Sequence, residues 1–424
     1  MTKRFQFLAT ACLLGLVGPA SASSAQTLAS RIGSRSDRSV QFSYTARPGV
    51  CGDGRTYIST RDNFVGTYST NTSYQQCQAG PVRVVVDLAD RSVIALRTYA
   101  GEATPPAAGV VDLGTVSPAE AADYLLAVAA RADGRVGSDA IFAASLADNV
   151  ELSAKLLDIA RDTGRPIETR RAALGRLTRS DVRQMDRIGA ALIQIATSEN
   201  DAQRVRTQAL SVLSRLEHGG GIEPLIRLAN SNTTSWTGRE SIRVLSRSGD
   251  PRARQFLRSI VQRTDLPDEV LAVALRGLGG SYVTGQDASL LRSIFPRLTG
   301  KTSQNAVLSA LASLGGTENV QWLMAVVRDD KLPLESRRRA LQHASRAGAS
   351  VASLVALYDA IPDTEIRQSL IALYARESNK AATDKLVWIA RNEQNLALRR
   401  RAISALSRTS DPSVRQALQA IVEG

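Results

Sequence analysis

Histidine, cysteine and aromatic residues are scarce in this chain of 424 residues, which has two histidines, three cysteines and 4% aromatic residues. The histidines, His218 and His343, lie far apart and without neighbouring cysteines, which argues against a zinc site or a histidine-based catalytic triad. No glycine-rich phosphate loop follows a predicted strand, and acidic residues such as Asp250 and Asp411 stand where turns and helix N-caps favour them. The sequence therefore predicts no enzyme activity, no cofactor and no metal site.

Lysine is also scarce, with six residues against 47 arginines, although the formal net charge is +13. Such a bias can arise from a GC-rich genome, so by itself it does not indicate nucleic-acid binding. A positive surface attracts polyanions in general. The low aromatic content, beside abundant alanine and leucine, favours closely stacked helices over a β-sandwich.

Long apolar runs are absent except near the N-terminus. Two basic residues precede an apolar run over 5–17, and small-residue cleavage patterns end at Ala22 and Ala25. This is the pattern of a Sec-type secretory signal, and the run is too short to anchor the chain in a bilayer. We therefore predict a signal peptide over 1–22, a flexible lead-in over 23–38, and a mature bacterial protein in the periplasm or outside the cell, without a membrane span.

Two cysteines, Cys51 and Cys77, remain after removal of the predicted signal peptide. In an oxidising compartment their simplest state is a disulfide. It would stabilise the folded state by about 3–4 kcal/mol, because it restricts the unfolded chain. A metal site would need further ligands, and the surrounding segment has no histidine.

A small β region with its linker is predicted over residues 39–116. Apolar and polar residues alternate near 40–44, which indicates a strand, and the runs 82–88 and 92–99 indicate a hairpin. The segment 101–115 contains prolines and glycines and is predicted to be a linker. Because so few short strands bury little apolar surface, we expect the β region to cap the first helices.

The remainder, residues 117–424, repeats one unit with a period of about 32 residues, which indicates a solenoid of helix pairs. The stretches Ser241–Val261 and Ala402–Val422 share about half of their aligned residues, and each reads as a helix, a break at Asp-Pro and a second helix. A Leu or Ile recurs in the second helix of each unit and is called here the reference position. The reference residues are Leu174, Leu210, Ile242, Leu275, Leu311, Leu341, Leu370 and Ile403.

Two fragments, Arg-Val-Arg at 204–206 and Gly-Asp-Pro-Arg-Ala at 249–253, resemble the segments between helices in the HEAT-repeat family, which includes the HEAT-like repeats of phycobilisome lyases. The resemblance covers roughly residues 138–424. It implies a mainly α fold, a right-handed α-solenoid of HEAT-like helix pairs, here preceded by the small disulfide-stapled β region. It also implies a scaffold, because HEAT arrays mostly bind protein partners.

Arginines recur at two places around the reference position. The first set lies three residues before it and resembles the HEAT arginine that pairs with acidic groups of neighbouring repeats; its members are Arg171, Arg239, Arg338, Arg367 and Arg400. The second set, called here the arginine edge, lies five residues after it and consists of Arg179, Arg215, Arg247, Arg346 and Arg408. A cation in the last turn of a helix is stabilising by about 0.3–1 kcal/mol. The arginine edge is therefore either a set of helix-end charges or one interrupted binding edge.

The sequence favours a protein-binding scaffold or adaptor in the bacterial cell envelope or extracellular space. The alternative is an arginine-lined binder of an anionic polymer, either a surface polysaccharide or a nucleic acid. A hydrolase or lyase is a remote alternative. Neither the partner nor the oligomeric state follows from the residues.

Overall fold

The computed structural model describes residues 26–35, 39–58, 78–102, 104–132, 134–179, 184–377 and 379–408. The predicted signal peptide, Cys77, Asp411 and the rest of the last repeat after Arg408 lie outside these residues. Two compact units make up the chain, one ending at Leu152 and the other beginning at Ser153. The sequence predicted that the solenoid starts at residue 117. The structure places the division between the units later, so the first predicted helices belong to the unit that contains the sheet.

The strands of the first unit are β1 Ser39–Tyr44, β2 Cys51–Gly52, β3 Gln78–Ala79, β4 Val82–Ala89, β5 Ser92–Ala100 and β6 Val110–Thr115. Four of them form a sheet in the order β5-β4-β1-β6, and β2 pairs with β3. β6 runs parallel to β1, whereas β4 is antiparallel to β1 and β5. The prediction of a linker over 101–115 is therefore wrong at β6, because this strand is fixed by pairing with a distant segment.

The hairpin predicted from the sequence is formed by β4 and β5. Its turn residues Asp90 and Arg91 both have positive φ, 48° and 61°, as a type I′ turn requires. Behind the sheet, the ring of Phe42 meets the ring of Tyr124 edge-on with centroids 5.9 Å apart. The buried hydroxyl of Tyr44 donates a hydrogen bond of 2.6 Å to the carbonyl oxygen of Ala143. The sheet therefore covers the first helices, as expected.

Three helices belong to this unit: α1 Leu28–Gly33, α2 Pro118–Ala129 and α3 Arg135–Ala144. The hydroxyl of Ser117 caps α2 by accepting a hydrogen bond from the backbone N–H of Glu120. The carboxylate of Glu120 does not complete a capping box but accepts a 2.6 Å hydrogen bond from the N–H of Leu28. Because Leu28 is also fully buried, the lead-in predicted as flexible over 23–38 contains an ordered helix.

The described part of the second unit forms eight helix pairs. They are α4 Ser153–Arg161 with α5 Ile167–Arg176, α6 Met185–Thr197 with α7 Gln203–Leu213, α8 Ile222–Ser231 with α9 Trp236–Leu245, α10 Pro251–Ile260 with α11 Asp268–Leu278, α12 Gly285–Ile294 with α13 Lys301–Leu314, α14 Thr317–Arg328 with α15 Leu334–Arg346, α16 Val351–Ala360 with α17 Thr364–Tyr374, and α18 Lys380–Asn392 with α19 Leu396–Leu406. A side-chain cap begins α9, α10, α12, α16, α17, α18 and α19, and a proline precedes α5, α11 and α15, as expected from helix-start signals.

The second helices of successive pairs contact one another and form one layer. Seven of the eight reference residues are buried, and Ile403 in the last described pair is half-buried. Small residues allow the helices to approach closely: a Cβ atom on Gly277 of α11 would overlap the side chain of Ser246 at the end of α9. Burial of this repeated apolar face stabilises the array, since each pair covers its neighbour.

Candidate binding surface of the helical array

The fourth residues of the second helices form a column along the array. In several pairs the first arginine set, as aligned from the sequence, lies one residue after this column. From α5 to α19 this column reads Arg170, Arg206, Arg239, Leu271, Gln304, Arg337, Arg367 and Arg399. Arg170, Arg206 and Arg337 are buried, with 2%, 9% and 6% of their surface exposed. A buried guanidinium requires hydrogen-bond acceptors and a compensating charge or ring, and the structure supplies them.

Arg170 links three helices. Its Nε donates a 2.8 Å hydrogen bond to the carbonyl oxygen of Ala160 in the last turn of α4. Its two terminal nitrogens donate to the carboxylate of Asp201, just before α7, at 2.7 and 2.5 Å. Burial favours the neutral form of Asp201, but hydrogen bonds from Arg170 and from the N–H of Ala202 outweigh it and hold the pKa of that carboxyl below its usual value.

Arg206 and Arg337 repeat the arrangement with different partners. The Nε of Arg206 donates to the carbonyl oxygen ten residues earlier at 3.0 Å, and its guanidinium contacts the hydroxyl of Thr237 and lies 4.2 Å from the centre of the Trp236 ring. Arg337 reaches the carbonyl oxygen of Val327 at 3.0 Å and lies 3.6 Å from a carboxylate of the next pair. These buried arginines therefore hold consecutive pairs together.

The first predicted arginine set is partly displaced from this buried column. Arg171 pairs with Glu168 of its own helix, and Arg338 lies 3.4 Å from Glu365 of the next pair. Arg367 donates to the carbonyl oxygen of Ile361 at 2.6 Å. These contacts support a structural role for the first arginine set at these positions. The buried arginines, however, are mainly the residues that directly precede its members in the sequence.

The arginine edge lies at the C-terminal ends of second helices. Arg215, Arg247 and Arg408 follow the ends of α7, α9 and α19 by two residues, and Arg346 is the last residue of α15. All four are exposed. Arg179 ends a short 3-10 helix after α5, and its side chain lies outside the described part.

Helix-end capping is visible at one of these positions. The Nε of Arg215 donates a 3.1 Å hydrogen bond to the carbonyl oxygen of Ser211 in the last turn of its own helix, which is the structural role. Within the described residues, the side chains of Arg247 and Arg408 make neither an ion pair nor a hydrogen bond. They are available to a partner.

Beside Arg247, a cavity of about 370 Å³ opens between the C-terminal ends of α9 and α11. Arg243, Arg276 and Tyr282 also line it. Sequence reasoning missed these three residues, although Arg243 and Arg276 both directly follow a reference residue. A hydrogen bond from Arg243 to Glu240 raises the pKa of the Arg243 guanidinium.

The tryptophans do not share one role. Trp322 is half-buried and packs edge-on against Phe295, with ring centroids 5.1 Å apart. Trp388 is 46% exposed, and the ammonium of Lys385 lies 4.2 Å from the centre of its ring. Trp388 is therefore not a core residue, although the apolar residues Val387 and Ile389 flank it in the sequence.

Potential metal ligands do not form a cluster in the part of the chain that the structure describes. No group of three or more His, Cys, Asp and Glu residues there could hold a metal ion. His343 is half-buried on α15, and burial and then Arg346 and Arg339 lower its pKa. Cys51 lies in β2, opposite Ala79.

The second unit is an α-solenoid of stacked helix pairs. A family model of HEAT repeats matches residues 189–279, so this segment, from α6 to the end of α11, contains HEAT repeats and confirms the resemblance seen in the sequence. A search of curated proteins finds no match to this chain. Among the described residues, no helix combines the length and the apolar character needed to cross a membrane.

Solved structures with a similar fold have low sequence identity. Human deoxyhypusine hydroxylase in complex with glycerol is 17% identical, with 56% of this chain and 96% of that chain covered and a TM-score of 0.28. The complex of CpcE and CpcF of phycocyanin lyase from a Nostoc species is 16% identical, with 55% and 93% covered and a TM-score of 0.30. Lipovitellin is 11% identical, with 79% and 40% covered and a TM-score of 0.44. At these values the likenesses say nothing about the function of this chain.

Proposed function

We propose that the chain is an exported scaffold that binds a protein partner along the exposed C-terminal ends of its second helices. The matching HEAT repeats support this role, because such repeats generally serve as protein-interaction scaffolds. The proposal includes a right-handed array, a Cys51–Cys77 disulfide and a location in the bacterial cell envelope or outside the cell. The proposed export rests on the signal peptide predicted from the sequence.

The observation that carries the proposal is the exposure of the arginine edge. Parallel helices in one layer present the same end on the same side, so Arg215, Arg247, Arg346 and Arg408 recur where each helix ends. Neighbouring repeats stack about one helix diameter apart, roughly 10 Å, which is close to the Debye length at physiological salt. An extended partner with spaced acidic groups can therefore contact several arginines separately.

The test replaces Arg215, Arg346 and Arg408 together by Gln in the mature protein, which keeps side-chain length and helix propensity. A matched control carries Gln at Arg227, Arg328 and Arg391, three exposed arginines of first helices, so both variants lose the same charge. Immobilised wild-type protein should capture one identifiable protein from the native envelope, and its binding is then measured by surface plasmon resonance. We expect the edge variant to lose about tenfold in affinity, which corresponds to about 1.4 kcal/mol, while the control binds normally.

If the edge variant binds with the same affinity as wild type, these arginines only stabilise the ends of their helices. In that case the loss should be confined to thermal stability, at about 0.3–1 kcal/mol for each site. Circular dichroism of each variant separates loss of folding from loss of binding.

A second candidate function, binding of an anionic polymer, is favoured by the net charge of +13 and by the exposed arginines. Binding of a polyanion weakens steeply when salt rises from about 50 to 200 mM, because counterions are released. Salt-tolerant capture of a single protein supports the scaffold, whereas strong salt dependence with a polymer of uniform charge supports this second candidate.

A further inference from the structure

The cavity between α9 and α11 has the size of a small ligand site. Its volume of about 370 Å³ lies at the lower end of the range of about 300–1,000 Å³ for such sites. α9 supplies Arg243, and Arg247 lies just beyond its end. α11 supplies Arg276, and the loop that follows supplies Tyr282.

Positive charge is concentrated here in a way that the neighbouring pairs do not repeat. The residue after the reference position is arginine only in α9 and α11; in the other second helices it is Gly175, Ser211, Ala312, Gln342, Ile371 and Ser404. Glu240 neutralises Arg243 through an ion pair. Arg247 and Arg276 are exposed, and their side chains have no ion pair or hydrogen bond within the described residues.

The C-terminal ends of both helices carry the negative end of the helix dipole, but their last carbonyl oxygens are already hydrogen-bonded. At the end of α9, the carbonyl oxygens of Val244 and Leu245 already accept backbone hydrogen bonds of 3.1 and 3.0 Å. At the end of α11, the carbonyl oxygens of Leu275 and Gly277 likewise accept backbone hydrogen bonds. Because these carbonyls are satisfied, the two unpaired guanidinium groups determine the charge that the cavity attracts.

Tyr282 forms one wall. Its ring lies over Gly249, where a Cβ atom would come within 2.9 Å of the ring. The side chain is 54% exposed. Together with Val273 it adds apolar surface to the lining of the cavity.

We propose that this cavity binds a Glu or Asp side chain within an acidic segment of a protein partner, so the inference rests on the proposed scaffold function. Arg247 and Arg276 donate to the carboxylate, since the guanidinium fork matches the planar carboxylate group. The Tyr282 ring packs on an adjacent apolar side chain of the segment. A peptide is favoured over a long polyanion because the charge does not continue onto α13, where the equivalent residues are Ala312 and Gly316.

The test uses the full mature chain and two fluorescein-labelled heptapeptides, Glu-Glu-Glu-Phe-Glu-Glu-Glu and its counterpart with Gln at every Glu, with fluorescence anisotropy as the readout. The double variant R247Q/R276Q is compared with the control R227Q/R328Q, which loses the same charge elsewhere on the array. We expect the wild type to bind the Glu peptide at least about tenfold more tightly than the Gln peptide. R247Q/R276Q should lose about tenfold, and the control should stay within about twofold of wild type. Tyr282→Ala should weaken binding while Tyr282→Phe retains it.

Equal weakening in both double variants would show unspecific charge attraction and overturn the proposal. Equal binding of the two peptides, or no binding of the Glu peptide, would also overturn it. The partner captured in the scaffold experiment separates the two proposals: a partner that binds R247Q/R276Q normally leaves the scaffold standing and removes the cavity. Specific peptide binding without any captured partner would retain the cavity and remove the scaffold.

Discussion

The guanidinium of Arg254 donates a 2.6 Å hydrogen bond to the carboxylate of Asp287, which lies one helix pair later and is fully buried. Arg258 donates to the same carboxylate at 2.7 Å. Asp287 also accepts from Thr284 and forms a capping box at the start of α12. One buried anion thus joins α10 to α12.

Acid should weaken this junction. Burial favours the neutral acid, but hydrogen bonds from Arg258, Arg254 and Thr284 outweigh it and lower the pKa of Asp287 from 3.8 to about 2. Because the folded-state pKa is the lower one, the stabilisation is complete above about pH 4–5 and is lost as pH falls toward 2. We expect Asp287→Asn to lose about 3–5 kcal/mol at pH 7, since two guanidinium groups lose their anion.

Urea unfolding between pH 7 and pH 2.5 measures this effect. The free energy of unfolding should fall less steeply with acid in Asp287→Asn than in wild type. Asp330→Asn, at an exposed position, serves as the control and should keep the wild-type profile. A variant with an unchanged acid slope would show that Asp287 is not the titrating group.

Replacing Thr237 by Asp should strengthen the contact with Arg206. The terminal nitrogens of Arg170 donate to the carboxylate of Asp201, whereas a terminal nitrogen of Arg206 donates to the neutral hydroxyl of Thr237 at 3.1 Å. A carboxylate would make a charge-assisted bond and would also lie in the first turn of α9, where negative charge is favourable. We expect Thr237→Asp to gain about 0.5–1 kcal/mol in thermal unfolding relative to Thr237→Asn. An Asp variant no more stable than the Asn variant would contradict this account.

Two glycines should respond oppositely to alanine. A Cβ atom on Gly277 would overlap Ser246 of the neighbouring pair, so Gly277→Ala must push the helices apart and should cost about 1–3 kcal/mol. Among the described residues, a Cβ atom on Gly189, inside α6, would have no heavy atom within 4 Å apart from its chain neighbours and the backbone of its own helix. Gly189→Ala should therefore gain about 0.5–1 kcal/mol from backbone entropy. Differential scanning calorimetry of both variants checks the signs, and a stable Gly277→Ala protein would refute the close approach of α9 and α11.

The predicted Cys51–Cys77 disulfide can be tested on the mature protein. Cys51 lies in β2, which pairs with β3, the strand that begins at residue 78 of the sequence. Mass spectrometry of the non-reduced, alkylated protein should find neither thiol modified. Reduction should lower stability by about 3–4 kcal/mol. Two alkylated thiols in the native protein would disprove the bond.

Local patterns made part of the structure predictable. The hairpin of β4 and β5 depends on residues that are close in the sequence, and it appears as expected. Strand β6 was missed because its pairing with β1 is a long-range contact with no local signal. The cavity beside Arg247 was missed for a similar reason, since its walls come from two helix pairs.

The sequence by itself determined the repeated helix pairs, because an apolar face that recurs every turn and every repeat can be buried only by stacking. Tertiary structure decided which arginine of each second helix is buried. Arg170 rather than Arg171 turns inward because α5 begins at Ile167 and its fourth residue faces the end of α4 and the carboxylate of Asp201. Which arginine is buried depends on how adjacent helix pairs pack. It therefore cannot be predicted from the spacing of arginines along the sequence.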